Sequence, residues 1–385
     1  MFQLFLGPLR RAARACLAIE LRRAVCHPLR WRGAVVVVAA GLLAACGGGG
    51  GGGGGGSGGG TSGASTSTSG SATPAGGTTS TPATPAKTTP PVTPAPVISA
   101  ARALPVTPVW AVYYGNASGL TLSQVASTFK LIVIDADPGT GTPAFSASQI
   151  AALKANGAKV LSYLNLGACE KSRSYWNTVP SGFVSCGANT AAQLGKYSGF
   201  QEYWMNPANA DYQNLLVNYV APRLAATGVD GFMLDNFEIV GHGTNTTAGP
   251  CDATCAQGGL DLVKQLRDSF PNLALVPNAA PVQTIGGSSG GVAFPWLIDG
   301  VLAEQVYLPS VSTSLVQQLQ SWQSAEQNLG RSGFFVGSLD YASSCTATSS
   351  AQTAWTAARQ AGFSPSISIA SLDSICWWSF LTSGS

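Results

Sequence analysis

The stretch 228–236, Gly-Val-Asp-Gly-Phe-Met-Leu-Asp-Asn, decides how the rest of the chain is read. It has the apolar run of a buried strand and stops on two polar side chains, Asp235 and Asn236. A two-residue period puts Met233 and Asp235 on one face and Phe232, Leu234 and Asn236 on the other. Asp235 is thus expected at the far end of the strand, facing whatever that face encloses. Asp230, at the strand's start, is read as structural.

Outward from this stretch the pattern repeats. Short β-branched or aromatic runs at 109–115, 130–137, 159–166, 228–235, 273–278, 300–307, 333–341 and 365–370 make eight expected strands. Amphipathic stretches at 122–129, 146–156, 211–226, 255–270, 315–329 and 350–361 lie between them, with longer or less regular links after the third and fifth strands. Such alternation implies α/β structure with a parallel sheet and helical crossovers. Eight units in about 280 residues fit a TIM-like (β/α)8 barrel, for which about 250 residues is typical. An open nucleotide-binding sheet is disfavoured, because no G-x-G-x-x-G or Walker loop follows the first strand. Glycines 286–291 read as a mobile loop.

The barrel is expected over 105–385. Before it, 46–104 is nearly all Gly, Ser, Thr, Pro and Ala, too poor in large apolar side chains to fold, and reads as a disordered tether. Residues 1–45 read as a lipoprotein signal peptide: an Arg-rich flank, then the apolar run 33–45, too short to span about 30 Å of hydrocarbon. Leu43-Ala44-Ala45-Cys46 matches a lipobox, so Cys46 is the expected lipidation site and the protein an exported, lipid-anchored one on a bacterial membrane, with the outer membrane or cell surface preferred.

Seven of the 20 basic residues and one acid precede Cys46, leaving 13 bases against 16 acids beyond it. A nucleic-acid partner is not expected of such a domain. One histidine, His242, remains there, which disfavours a multi-histidine metal site; no metal or cofactor is expected, and the monomer is the default. His242 itself reads equally as a solvated loop residue or a substrate contact. Six cysteines, Cys169, Cys186, Cys251, Cys255, Cys345 and Cys376, point to disulfides in an exported chain. They allow 15 connectivities. Proximity favours pairing them in sequence order, while Cys251-x-x-x-Cys255 as a metal pair is the competing reading.

In a barrel, chemistry belongs to the C-terminal strand ends. Those ends carry Tyr113 and Tyr114, Asp135 and Asp137, Asn165 with Glu170 beyond, Asp235 and Asn236, Asn278, Glu304, and Asp340 with Tyr341. Carboxylates among amides and aromatics are what sugar hydrolysis requires, one to protonate the leaving oxygen and one to stabilise or attack the oxocarbenium-like centre. Glu304, inside the apolar run 301–307, must be paired or functional, since an unpaired buried carboxylate is strongly unfavourable. Tyr114, Asn278 and Asp340 are further candidates for substrate contact, and Trp204 and Trp377 are the tryptophans placed near strand tops. An esterase is disfavoured because no G-x-S-x-G elbow stands at any strand end.

At these residues the sequence resembles glycoside hydrolase family 114, the endo-α-1,4-polygalactosaminidase group, over nearly all of 110–379. The resemblance is carried by Tyr113-Tyr114-Gly115, Asp135-x-Asp137, Ser162-Tyr163-Leu164-Asn165-Leu166-Gly167 with Glu170 and Arg173, the Trp204 region, Gly231-Phe232-x-x-Asp235-Asn236, Pro277-Asn278, and Asp299 before Glu304-Gln305. It implies a polysaccharide substrate of the α-1,4-linked galactosamine-containing class and Asp235 and Glu304 as catalytic carboxylates. Asp235 would be nucleophile or charge stabiliser and Glu304 general acid/base, with the reverse order open. It also implies that Asp137, Tyr163, Glu170, Asn236 and Tyr307 shape sugar subsites. The alternative from another class is a surface glycan-binding lipoprotein whose barrel does not hydrolyse.

Overall fold

The computed structural model describes residues 99–137, 145–198, 200–243, 251–331 and 333–381. The expected signal segment, Cys46 and the tether up to residue 98 lie outside the described residues. Within them the strands are β1 (Trp110–Tyr113), β2 (Leu131–Ile134), β3 (Lys159–Asn165), β4 (Ala168–Glu170), β5 (Gln193–Lys196), β6 (Glu202–Met205), β7 (Gly231–Asp235), β8 (Ala274–Pro277), β9 (Ser288–Ser289), β10 (Val292–Ala293), β11 (Gly300–Glu304), β12 (Phe335–Ala342) and β13 (Ser364–Ile369).

Eight of these are the expected ones, and all eight run parallel to their neighbours. Five form the sheet β1-β2-β3-β7-β8 and three the sheet β11-β12-β13. The sheets meet where Asn278 pairs with Leu302 in a parallel bridge and the Ala279 N–H donates to the Leu302 carbonyl at 2.8 Å. At their other edges the Tyr114 N–H donates to the Leu372 carbonyl at 2.6 Å, and the Trp110 indole N–H to that of Ser364 at 2.8 Å.

The strands read as near-continuous apolar runs because both faces are covered, as in other parallel sheets. Alternate residues enter two clusters. Trp110, Val112, Leu131, Val133, Leu161, Met233, Val276, Leu302, Phe335 and Leu339 pack on one face. Ile132, Ile134, Val160, Phe232, Leu234, Leu275 and Val301 pack on the other, beneath the helices. Met233 and Leu234 fall on the two sides that the period-two reading of 228–236 assigned.

Helices Leu122–Thr128, Ala147–Leu153, Ala253–Ser269, Thr313–Asn328 and Thr348–Gln360 occupy the expected stretches. Ser146 and Gln149 close a capping box on the second of these, and Asp252 caps the third through the Cys255 N–H. The stretch expected as one helix at 211–226 is Ala210–Leu215, a π-turn Leu216–Val220, and Ala221–Ala225. Pro222 has no N–H to complete the α ladder, and the wider turn precedes it.

The two irregular links are insertions. After β3 come β4, β5 and β6, paired antiparallel in the order β4-β6-β5. After β8, the glycines expected to be a mobile loop form the hairpin β9–β10, with Gly290 and Gly291 at φ 55° and 77° supplying the two left-handed residues of its tight turn. Disulfides join Cys169 with Cys186, Cys251 with Cys255 and Cys345 with Cys376, so the Cys251 and Cys255 thiols are spent on each other rather than offered to a metal.

Ordered packing starts before the Pro105 boundary read from the sequence. Ala100–Arg102 is a 3-10 turn, Arg102 pairs with Asp299 at 3.3 Å, and Leu104 enters the cluster shared with Trp110 and Met233. Isolated large residues among small ones carry no periodicity, so nothing in the sequence marked them.

Candidate active site

The backbone turns sharply just beyond three polar strand ends. Asn236, Ala279 and Gln305, each immediately after Asp235, Asn278 and Glu304, all have φ of 57°. This left-handed region is disfavoured for side chains other than Gly, Asn and Asp by roughly 1–2 kcal/mol. The turns are held by backbone bonds: Leu166 and Gly167 N–H to the Asp235 carbonyl at 3.0 and 3.2 Å, Ala279 N–H to Leu302, and Gln305 N–H to Leu339 at 2.7 Å. Each strand therefore ends where its last polar side chain stands, leaving three of them at the same end of adjacent strands.

Those three meet. The Asn278 amide Nδ2 donates to Asp235 Oδ1 at 2.9 Å and to Glu304 Oε1 at 2.7 Å. By the triangle inequality the two carboxylate oxygens lie at most about 5.6 Å apart. If the two N–H bonds diverge at the trigonal angle, the separation is roughly 5 Å. The other oxygen of Glu304, Oε2, accepts from the Tyr341 hydroxyl at 2.5 Å. Burial, and after it the charge of Glu304, raises the Tyr341 phenol well above its ordinary 10, so this hydroxyl keeps its proton.

A second group surrounds one buried guanidinium. Arg173 Nη1 reaches Asp135 at 3.1 Å and Asp137 at 3.2 Å, its Nε reaches Glu170 at 2.5 Å, and Arg223 meets Asp137 at 3.1 Å. Burial works to lower the Arg173 pKa, but Asp135, Glu170 and Asp137 outweigh it and raise it well above the usual value. Tyr163 donates to Glu170 at 2.9 Å, and the Tyr114 ring stands edge-on to Tyr163, centroids 5.5 Å apart. Tyr114 is also felt electrostatically by Tyr341 and so stands between the two groups.

Of the expected site residues, the structure thus assembles Asp235, Asn278 and Glu304 in one group and Tyr114, Asp137, Tyr163 and Glu170 in the other. The other five expected residues are placed as follows. Asp340 is fully buried; its Oδ1 accepts from the Tyr307 and Leu308 N–H groups at 2.6 and 2.9 Å, and burial raises its pKa to about 6. It fixes the loop after β11. Asn236 turns inward and donates to Asn165 Oδ1 at 2.9 Å, while Asn165 donates to Glu202 at 2.9 Å. Trp204 is 1% exposed, stacked on Tyr197 at 4.2 Å and edge-on to His242 at 4.7 Å, and is core. Trp377 is 44% exposed but packs on Phe129, at the start of β2 rather than at a strand's C-terminal end. Tyr307 is held by its N–H on Asp340, with its phenol raised to about 12 by burial and then by the charge of Asp340.

The sequence places Tyr341 at a strand end and Arg173 among the residues of the resemblance but assigns neither a role. Tyr341 shares a face with Leu339, and both enter the cluster of Met233; the same period-two rule that chose Asp235 would have chosen Tyr341 over Asp340. Asp230 is structural as expected, paired with Lys154 at 2.9 Å and accepting the Val160 N–H at 2.9 Å. Among the described residues no group of three or more His, Cys, Asp and Glu is arranged to hold a metal ion.

A family model described as glycoside-hydrolase family GH114 matches residues 93–380. No curated protein matches the sequence. Among solved structures, the glycoside hydrolase domain of PelA from Pseudomonas aeruginosa superposes with a TM-score of 0.53 at 16% identity, over 69% of this chain and 97% of that one, and a variant of that domain gives the same values. The α-galactosidase TtGalA from Thermus thermophilus, in complex with p-nitrophenyl α-D-galactopyranoside, has a TM-score of 0.42 at 14% identity, over 70% of this chain and 59% of its own.

Proposed function

Since the chain belongs to glycoside-hydrolase family GH114, we propose that it cleaves an α-1,4-linked, galactosamine-containing exopolysaccharide by a retaining mechanism, with Asp235 as nucleophile and Glu304 as general acid/base. The observation that carries this reading is the Asn278 amide, which brings the two carboxylates to roughly 5 Å, the separation of retaining rather than inverting glycosidases (about 5–5.5 against 6.5–9.5 Å). The eight parallel strands would close into one TIM-like barrel, a reading supported by the bonds that join the two sheets at both pairs of edges.

The division of roles follows from the partners. A hydroxyl both donates and accepts, so Tyr341 keeps its contact whether Glu304 is ionised or protonated, as an acid/base that cycles must be. Asn278 donates to both acids and so does not distinguish them; the contact that does is the Tyr341 hydroxyl on Glu304. In the first step Asp235 forms a bond to the anomeric carbon while the glycosidic C–O bond breaks and the Glu304 proton passes to the leaving oxygen. In the second, Glu304 takes a proton from water, whose oxygen displaces the Asp235 ester.

Charge supports an amino-sugar polymer. Asp135, Asp137 and Glu170 are paired with two guanidiniums, Arg173 and Arg223, while Asp235 and Glu304 add two further acids partnered by Asn278 and Tyr341, an excess of negative charge that favours a glycan carrying free ammonium groups. The half-buried Tyr114 and the Tyr163 ring beside it offer apolar surface for a pyranose. The lipobox at 43–46 supports the further reading that the chain is held at a bacterial membrane through acylated Cys46; retention in the detergent phase, lost in Cys46→Ala, tests it.

The activity is tested by incubating the full chain with partially deacetylated α-1,4-galactosamine polymer and, separately, with fully acetylated and unrelated glycans. New reducing ends that vanish in Asp235→Asn and in Glu304→Gln support it. Binding without products would favour the glycan-binding alternative and overturn hydrolysis.

A further inference from the structure

Asn278 is tied to both catalytic strands by its backbone as well as its side chain. Its N–H donates to the Leu234 carbonyl at 2.8 Å, and its register partner across the sheet joint is Leu302. Leu234 immediately precedes Asp235, and Leu302 lies two residues before Glu304. The amide's orientation is fixed by charge: exchanging Nδ2 and Oδ1 would set an acceptor against two carboxylate acceptors. Both hydrogens of Nδ2 are then spoken for, and Oδ1 is buried with no hydrogen-bond partner. The one group left over, the Oδ1 acceptor, is buried rather than exposed to a bound sugar, and no donor remains to offer a sugar hydroxyl.

We propose that Asn278 is a positioning residue that gauges the gap between Asp235 and Glu304, and not a sugar ligand. The proposal rests on the two-carboxylate reading and adds to it the part that sets the distance. Two carboxylates about 5 Å apart repel, and a neutral double donor between them screens that repulsion and supplies a fixed length. A lysine would drive both acids permanently to the ionised state, and a hydroxyl has only one hydrogen to share. The Tyr341 hydroxyl from β12 also faces the pair, and Tyr114 beyond β1 is felt by Tyr341.

The test uses the full chain as Asn278→Ala and Asn278→Asp, each confirmed folded by thermal melting followed by circular dichroism. Asn278→Ala is expected to lower kcat by about 100-fold, the scale of a misplaced catalytic group, with KM changed by less than about threefold because no sugar contact is lost. Asn278→Asp has the same shape but adds a third carboxylate, so it is expected to be less active than Asn278→Ala at pH 7 and to recover in part at pH 5, where a protonated carboxyl donates its one hydrogen. A rise in KM with kcat retained, or Asn278→Asp outperforming Asn278→Ala at pH 7, would overturn the proposal. Carboxyl 13C titration of the uncatalysed protein separates this outcome from failure of the activity reading. Loss of the amide should raise the apparent pKa values of the acid pair by about one unit whether or not any polymer is cleaved, and an unmoved titration would overturn the proposal by itself.

Discussion

Tyr341→Phe removes one oxygen atom, the one that donates to Glu304 Oε2 at 2.5 Å, and keeps the ring that packs beside Leu339 and Met233. A hydrogen bond to a charged group contributes roughly 1.5–3 kcal/mol, and each pKa unit corresponds to about 1.36 kcal/mol. Deleting a donor that favours the anion therefore raises the Glu304 pKa by about one unit, the lower end of that range because Asn278 still donates to Oε1. The phenol itself does not titrate in the working range, since burial and the charge of Glu304 hold it well above 10. If Glu304 is the acid, kcat/KM declines as Glu304 loses its proton, so the alkaline limb of the profile should move up by about one unit while the acid limb stays. Reducing-end release from partially deacetylated galactosamine polymer between pH 4 and 9, at constant ionic strength, reads both limbs. A shift of the acid limb instead would make Glu304 the nucleophile and refute the assignment of roles, and two unmoved limbs would refute the coupling itself.

Three predictions concern stability. Burial raises Glu326 from 4.5 to about 7 against the pull of Arg331 at 3.1 Å, so its contribution is full below pH 4.5 and is lost as pH rises toward 7. Glu326→Gln should match the parent in urea unfolding at pH 4.5 and exceed it at pH 8, by on the order of 2 kcal/mol after allowance for partial solvent screening; a parent more stable at pH 8 would contradict this. Arg173→Met leaves Asp135 and Glu170 buried without their guanidinium and should lose about 3–5 kcal/mol at pH 7, less at pH 4 where carboxyls protonate; equal losses at both pH values would show that the loss is one of packing alone. Cys169→Ser with Cys186→Ser opens a link of 17 residues beside Glu170 and should lower unfolding free energy by roughly 3 kcal/mol, measured by guanidinium denaturation against the oxidised parent.

The eight parallel strands were legible in the sequence because burial on both faces leaves continuous apolar runs, each ending on polar or turn-forming residues. Asp235 was legible for the same reason, since a two-residue period fixes which face a side chain takes. The rule fails one residue further on. Asn236, Ala279 and Gln305 turn left-handed, and beyond such a turn alternation no longer says where a side chain goes. That is how Asn236 was expected at the sugar and is found holding Asn165. Trp204 and Trp377 were chosen for nearness to a strand top in the chain, whereas packing against Tyr197 and Phe129 decides where their rings lie.

The sequence by itself determined the order of strands and helices, the six cysteines available for bonding, and the two carboxylates at the ends of β7 and β11, all of which follow from local periodicity and residue chemistry. Only the tertiary structure decided that these acids stand at one amide's reach from each other. Asn278 is 43 residues from Asp235 and 26 from Glu304. No local preference carries information over such separations; the distance between the acids is set by the register of parallel strands at the joint of two sheets.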